Sequence, residues 1–285
     1  LQRMVLLVLG NQGCNQENIM GKLQVLLSVL NMDGINYIDS LKITGDAVVI
    51  NQCDTDDSEI INRRSVNGSD QAVKYVKTKQ RGLSKSRNKA IKNADADICI
   101  LCDNDVVYED NYEELILNEF DRLPDADIIV FYIKRKEKPK PNYDSLRRMD
   151  YFSVLKIFSP EIAFRRESVK DLSFNEDFGA GSDKYIMGEE NIFLYDALKK
   201  KKKIYYVPVK IATLKEVNST WFSGYDEKFF FSRGANYAAM SKPFSHILIW
   251  QFALRKTALY RDSISTINAI KAMYEGRAEY IKSIK

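Results

Sequence analysis

The sequence predicts an α/β fold with a mostly parallel central sheet. Apolar runs of strand length recur at residues 23–30, 47–50, 97–102 and 127–133. Helix-like segments separate these runs, and strands that alternate with helices are typical of parallel sheets. The chain has 285 residues, of which 45% are hydrophobic and 29% charged. These values are ordinary for a globular protein that is long enough to bury a full core.

The first strand has two candidates, residues 5–9 and residues 23–30. The second is the longer apolar run, so we assign the first strand to it and expect residues 1–22 to form an N-terminal extension. A short helix over 35–43 is then expected before the strand at 47–50. Further along, the apolar positions of residues 111–123 recur at helical spacing and predict a helix that ends before Pro124, followed by the strand at 127–133.

The most informative stretch spans residues 75–105. It reads as a strand, a turn at Gly82, an amphipathic helix from Ser84 and a buried strand that ends in Asp103-Asn104-Asp105. In open α/β sheets, ligands bind beyond the carboxyl ends of the strands. Two aspartates separated by one residue can share a hard divalent cation, which prefers oxygen ligands. Acidic turns are common, however, so this motif alone identifies no ligand.

The spacing of the residues in this stretch closely resembles the family 2 glycosyltransferases of the GT-A fold. That family has a G-L-S-x-A-R-N helix start, a helix, and an apolar strand that closes in D-x-D. The matching residues here are Gly82, Leu83, Ser84, Arg87, Asn88, Asp103 and Asp105. The resemblance implies a Rossmann-like nucleotide-diphospho-sugar transferase fold, in which Asp103 and Asp105 would hold Mn²⁺ or Mg²⁺.

The resemblance also implies the residues that would bind the nucleotide-sugar donor. Ser28 and Asn31 resemble the end of the family's first strand, while Asn51 and Gln52 stand where the family usually has an acid that contacts the base. An amide both donates and accepts hydrogen bonds, so it could serve a uracil edge. Asp54 either joins this set or caps a following helix. The remaining members of the set are Gly82, Arg87, Asp103 and Asn104.

A second stretch, residues 174–208, resembles the acceptor side of the same family. A glycine-rich loop precedes Gly188-Glu189-Glu190, where the family has a G-E-D helix start, and a strand reading Y-Y-V-P follows. The resemblance implies that Glu190 is the general base, with Glu189 as the alternative, because an acceptor hydroxyl must lose a proton as it attacks. The other interpretation is that both glutamates only complement a helix dipole. Gly188 and Trp221 are the predicted acceptor-binding residues.

These assignments divide the chain into four parts. We expect an extension over 1–22, a nucleotide-sugar-binding half over 23–135, an acceptor-binding half over 136–225 and a helical C-terminal region over 226–285. The basic stretch at 134–141 is expected to be a solvated linker between the two halves. Cys99 and Cys102 lie three residues apart in a strand, where side chains point to opposite faces, so we predict no metal or redox pair.

The C-terminal region from residue 242 contains eight Lys and Arg against three Asp and Glu, interleaved with aromatic residues. This mixture is compatible with lying on an anionic bilayer, and equally with packing on the catalytic domain. His246 is the only histidine, and the family's usual histidine ligand has no counterpart after Pro208. We expect His246 to be structural or interfacial.

The resemblance therefore implies an inverting, metal-dependent glycosyltransferase that moves a hexose from a UDP-sugar to a hydroxyl of a saccharide or polyprenol-linked saccharide. The resemblance implies surface polysaccharide biosynthesis in the cytoplasm, at the inner face of the membrane. Two alternatives remain: a nucleotidyltransferase of similar fold, and a basic nucleic-acid- or membrane-binding protein. A net charge of +4 is too modest to indicate a nucleic-acid partner.

Overall fold

The computed structural model describes residues 21–215 and 224–284. Ten strands form one mixed sheet, and helices cover both of its faces. The strands are β1 (Leu23–Leu30), β2 (Ala47–Gln52), β3 (Asp57–Arg64), β4 (Asp70–Thr78), β5 (Ile98–Asp103), β6 (Val106–Tyr108), β7 (Ile128–Lys134), β8 (Arg147–Arg148), β9 (Ile162–Arg165) and β10 (Ile204–Leu214). The helices are α1 (Tyr37–Ser40), α2 (Leu83–Asn93), α3 (Tyr112–Arg122), α4 (Glu189–Lys199), α5 (Glu227–Met240), α6 (Ser245–Arg255), α7 (Thr257–Tyr260) and α8 (Thr266–Ser283).

The strand order is β3-β4-β2-β1-β5-β9-β7-β10-β6, and β8 pairs with β10. The neighbours β4, β2, β1 and β5 run parallel, as do β7 and β10. The short strands β6, β8 and β9 and the edge strand β3 run antiparallel to their neighbours. The predicted α/β class and the GT-A arrangement are confirmed, and the parallel part of the sheet is the part that carries the proposed donor site.

The two faces of the sheet bury two separate cores. In β5, Cys99 and Leu101 face one core, while Ile100 and Cys102 face the other. This alternation follows from the period of two along a strand. It also places the two thiols on opposite faces, as predicted, and burial raises the pKa of both.

The helices divide between the two faces. Side chains from α2, α4, α5, α6 and α8 enter the first core, and side chains from α1 and α3 enter the second. The first core includes Ala90 of α2 and Leu194 of α4, whose helices begin at the two motifs singled out in the sequence. Both motifs therefore lie on the same side of the sheet.

One of the two alternatives for Asp54 is excluded, since it caps no following helix and β3 and β4 form an antiparallel hairpin there. Helix α5 begins at Glu227, and Asp226 caps it by accepting a hydrogen bond from the Phe229 backbone N–H at 2.8 Å. The predicted extension falls almost entirely outside the described residues. None of the helices that the structure describes is both long and apolar enough to cross a bilayer.

Candidate active site

The candidate site lies at the carboxyl ends of β1 and β5. These strands are parallel neighbours, and their register sets Ser28 beside Asp103. The Ser28 hydroxyl lies 2.8 Å from that of Ser86 on α2, both buried. Alternate residues of β1 and β5 face α2. These positions are apolar in the middle of each strand and polar where the strand ends. The predicted donor residues Ser28 and Asp103 are therefore adjacent.

Arg87 connects the predicted donor and acceptor sides. Its guanidinium is 1% exposed and donates to Asp103 Oδ1 at 3.0 Å and to Glu189 Oε1 at 2.7 Å. It also donates to the Ser159 hydroxyl at 2.8 Å. A buried cation needs paired charges to offset its lost hydration, and two carboxylates together keep the pKa of Arg87 above its ordinary value. Arg87 is thus permanently charged.

Further contacts join the start of α2 to the glycine-rich loop before α4. Asn88 donates to the Phe174 carbonyl at 2.9 Å and accepts from the Phe174 N–H at 2.7 Å. The Ser84 hydroxyl donates to the Phe178 carbonyl, and the Leu83 N–H donates to the Ala180 carbonyl. The motif residues of the two stretches, about a hundred positions apart, therefore form one structural unit.

Asp105 is the carboxylate that fits a cation. Its Oδ1 atom is buried and has no hydrogen-bond partner, and burial together with repulsion from Asp103 raises the pKa of Asp105 to about 6. A divalent cation would relieve both effects. The described residues contain no group of three or more His, Cys, Asp or Glu side chains that could hold a metal by itself. Asp103 and Asp105 thus suit a cation that is also held by ligand oxygens.

The two glutamates at the start of α4 differ sharply. Glu189 is buried against Arg87, whereas the half-buried Glu190 forms no ion pair with any residue that the structure describes. Burial and the negative charge of Glu189 raise the pKa of Glu190, while Arg87 and Arg233 oppose this shift. A carboxylate without a partner and with a raised pKa is suited to accept a proton.

Several predicted donor residues have structural partners of their own. The Asn51 side chain donates to the Met32 carbonyl and to the Tyr75 hydroxyl, each at 2.7 Å. Gln52 accepts from the Gly82 N–H at 2.7 Å, which supports the turn into α2. The Asp54 carboxylate pairs with Arg81 at 2.6 Å. These hydrogen bonds hold the three side chains in place beside the site. Contact of Asn51 or Gln52 with the nucleobase of the donor stays a prediction.

The other predicted residues are placed as follows. Asn31 follows β1 in a left-handed conformation with a φ of 50°, and Asn104 is exposed in the turn between β5 and β6. Gly188 has a φ of 92° and its carbonyl accepts from Asn236 of α5 at 2.8 Å. A side chain at Gly188 would overlap Asn236, so only glycine fits there. Trp221 lies outside the described residues.

Sequence reasoning missed three residues of this site: Ser159, Arg233 and Asn236. Ser159 binds Arg87 from a 3₁₀ turn before β9, and Asn236 holds the α4 start. Arg233 lies over the rings of Phe229 and Phe252, each 5.2 Å from the guanidinium carbon, and its charge acts on Glu190. No local motif marks any of them, because their roles depend on contacts between distant segments.

The comparisons with known proteins agree with this geometry. The family model described as "Glycosyl transferase family 2" matches residues 28–184, more than half of the chain. The chain belongs to this family. Its members are glycosyltransferases, so the chain is an enzyme of that class, as predicted. No curated protein matches the sequence.

Solved structures show the same fold. The crystal structure of S. aureus TarS 1–349 has a TM-score of 0.60 and 15% identity, covering 92% of this chain and 83% of that one. The same TarS piece in complex with UDP-GlcNAc has a TM-score of 0.60 and 15% identity, with coverages of 92% and 88%. Its complex with UDP has a TM-score of 0.56 and 14% identity, with the same coverages. At such identities the likeness concerns the fold alone.

Proposed function

We propose that this family 2 glycosyltransferase transfers a sugar from a UDP-sugar to an acceptor hydroxyl with inversion at the anomeric carbon. The observation that carries the proposal is the arrangement at Arg87, where a D-x-D carboxylate and the start of α4 meet on one buried guanidinium. This arrangement brings a site for the leaving diphosphate next to a carboxylate that can accept a proton. The TarS complexes with UDP-GlcNAc and UDP support uridine as the nucleoside.

In the proposed reaction, the acceptor oxygen attacks the anomeric carbon from the face opposite the diphosphate. The bond from that carbon to the β-phosphate oxygen breaks, and UDP leaves with the electron pair. Glu190 takes the proton of the acceptor hydroxyl, because its carboxylate has no competing partner in the described part of the chain. Glu189 holds Arg87 through its ion pair.

The Arg87 guanidinium is buried, and its Nη1 and Nη2 atoms donate to Glu189, Asp103 and Ser159, whereas Nε has no hydrogen-bond partner among the described residues. Its role in the proposal is to orient Asp103 and Glu189, which places the two carboxylate groups of the site relative to each other. Asp103 is 20% exposed, and its second oxygen, 3.3 Å from Arg87 Nη2, has a further lone pair for the ribose or a cation. Arg87 is thus a positioning residue.

Mn²⁺ or Mg²⁺ fits at Asp103 and Asp105, with the donor diphosphate as a further source of oxygen ligands. Such a cation would stabilise the charge that develops on the leaving diphosphate. The acceptor in this proposal is a saccharide or a lipid-linked saccharide used in surface polysaccharide synthesis, at the cytoplasmic side of a membrane. Gly188 and Trp221 are proposed to lie beside it.

Calorimetry with UDP tests the proposal. We expect binding in the presence of Mn²⁺ and none in EDTA, and the Asp105→Ala variant should lose the Mn²⁺-dependent part. Asp70→Ala is the matched control, because Asp70 is 90% exposed and lies at the amino end of β4. The candidate site lies at the opposite, carboxyl ends of the parallel strands. UDP binding that is unaffected by EDTA and by Asp105→Ala would refute the cation site. No UDP binding under either condition would refute the donor assignment.

A further inference from the structure

Helix α6 has two contrasting faces. Its inner face packs on α5 and α8 and buries Leu248, Ile249 and Ala253. On its outer face, the side chains three and four residues apart are large, apolar and exposed. Their exposed fractions are 58% for Ile247, 49% for Trp250 and 65% for Leu254. Residues at this spacing share one side of a helix, so the three side chains form a continuous apolar stripe.

Exposed apolar side chains continue on both sides of this stripe. Phe244 precedes α6, Leu259 lies on α7 and Ile267 lies in the first turn of α8, and all are exposed. Single exposed apolar side chains are normal on a protein surface, whereas a concentration of them on one segment marks a contact surface. We call Phe244, Ile247, Trp250, Leu254 and Leu259 the α6 surface.

Most charges around the α6 surface are positive, and the exposed Asp262 is an exception. Helix α6 carries no Asp or Glu, and Lys242, Arg255, Lys256 and Arg261 are exposed beside it. Within the described residues, Arg255 and Lys256 form no ion pair, and the carboxylate that pairs with Arg261 is that of the neighbouring Asp262, at 3.9 Å. Cations that flank an apolar helix face are the pattern of a helix that lies in a membrane interface. Trp250 and Phe244 are suited to the depth of the lipid headgroups, where aromatic side chains are enriched.

We propose that the α6 surface docks on an anionic lipid bilayer, with the apolar stripe in the interface and the four cations at the lipid headgroups. A second copy of the chain fits less well, because a two-fold contact through this surface would bring like charges together.

The α6 surface is also close to the proposed acceptor side. Helix α6 packs on α5, and Asn236 of α5 holds the Gly188 carbonyl directly before Glu189 and Glu190. One helix therefore separates the docking surface from the proposed base. This geometry suits a lipid-linked acceptor, an implication that rests on the proposed function. The docking itself does not rest on it.

Flotation with vesicles tests the proposal without any substrate. The protein should float with vesicles that contain phosphatidylglycerol or phosphatidylserine, should float much less with pure phosphatidylcholine, and should be released by high salt. The double variant Ile247→Asp/Leu254→Asp should lose flotation. The matched control is Ile60→Asp/Val66→Asp, which places the same two charges at exposed apolar residues of the β3–β4 hairpin, 67% and 56% exposed.

A second pair of variants tests the cations. Arg255→Glu/Lys256→Glu should weaken partitioning onto anionic vesicles by about tenfold or more. Lys134→Glu/Lys140→Glu makes the same change in net charge at exposed residues away from α6. Equal loss in both pairs would show diffuse attraction and overturn the assignment. So would equal binding to neutral vesicles, or a dimer in solution that Ile247→Asp/Leu254→Asp dissociates. Circular dichroism and UDP calorimetry on each variant report whether it is folded.

Discussion

In the proposed function, Arg87 is essential to the geometry of the site although it does not touch substrate. It lies in the G-L-S-x-x-R-N segment, and its side chain is enclosed by Asp103, Ser159 and Glu189. Removing one member of a buried ion pair typically costs about 3–5 kcal/mol, because the remaining charge is left uncompensated. The same residue therefore supports the fold and the geometry of the site.

The different surroundings of Glu189 and Glu190 can be tested with two variants. Glu190→Gln should lower kcat by about 10²–10⁴-fold, the usual contribution of a general base, while UDP binding stays near wild type. Because the pKa of Glu190 is raised in the folded protein, removing its charge should not lower thermal stability at neutral pH. Glu189→Gln should instead lower stability by about 3 kcal/mol, because Arg87 loses a charged partner. Steady-state kinetics and thermal unfolding of both variants check this. If only Glu189→Gln loses turnover while remaining stable, the two roles are reversed.

Asp105 should make the fold less stable as the pH rises. Its folded-state pKa of about 6 exceeds the ordinary value of 3.8, so the folded protein binds more protons than the unfolded chain within this window. Stability is then lost as the pH rises through the window, and the loss is complete above about 6. Asp105→Asn should therefore raise the melting temperature at pH 7.5 in EDTA, with a smaller gain at pH 4.5.

The control for this effect is Asp70→Asn, which removes a carboxylate that is 90% exposed and lies at the amino end of β4. A gain for Asp105→Asn that is equal at both pH values would contradict the raised pKa. Added Mn²⁺ should stabilise the wild-type protein and not Asp105→Asn, because binding to the folded state alone raises apparent stability. In the proposed function, the charged Asp105 carboxylate lowers the stability of the fold and is also the group that binds the cation.

At the scale of elements, the packing of α5 on α8 depends on two glycines. A side chain at Gly234 would overlap the Met273 carbonyl, and one at Gly276 would overlap the Phe231 carbonyl. In both cases the obstacle is backbone, which cannot move aside like a flexible side chain. The two helices therefore cross at a distance that only glycine permits.

Gly276→Ala should accordingly destabilise the protein by about 2–3 kcal/mol, despite the higher helix propensity of alanine. The melting temperature should fall by roughly 4–10 °C. Asn268→Ala, at an exposed position of the same helix, should change stability by no more than about 0.5 kcal/mol. Thermal unfolding of the two variants decides the matter, and a Gly276→Ala protein as stable as wild type would disprove the close crossing.

The sequence predicted elements where periodicity was strong. The strand at β5 and the helix α3 were found with ends within two residues, and the start of α2 within one, because their apolar positions follow a clear period. The strand β3, and with it the β3–β4 hairpin, was missed, since β3 is an exposed edge strand with little apolar signal. Asn67-Gly68 between the two strands is a turn signal that could have revealed the hairpin.

For the site, the motif residues Arg87, Asp103 and Glu189 could be predicted because a family pattern links them. Their mutual contacts could not, because they join segments up to 102 positions apart. The different roles proposed for Glu189 and Glu190 also needed the structure, since neighbouring residues in a helix start face different surroundings. The ion pair with Arg87, and not residue type, distinguishes them.

At the scale of the molecule, the predicted boundary at residue 135 separates two halves that share one sheet. Strand β9, from the second half, lies between β5 and β7 of the first. A fragment of residues 21–135 should therefore fail to fold, because β5 and β7 would lose their common neighbour and Arg87 its partner on α4. Circular dichroism and limited proteolysis of the fragment check this, with the full chain as control. A stable, protease-resistant fragment would show that the halves fold independently.

The burial of Arg87 also sets an order of events in time. During synthesis, Asp103 leaves the ribosome long before Glu189, so the guanidinium first has one carboxylate and gains the second only when α4 emerges. Until then the start of α2 lacks its contacts with Phe174, Phe178 and Ala180, which are also still to come. The proposed donor pocket is consequently completed only when α4 has emerged, and β10 and the helices α5 to α8 are added after it.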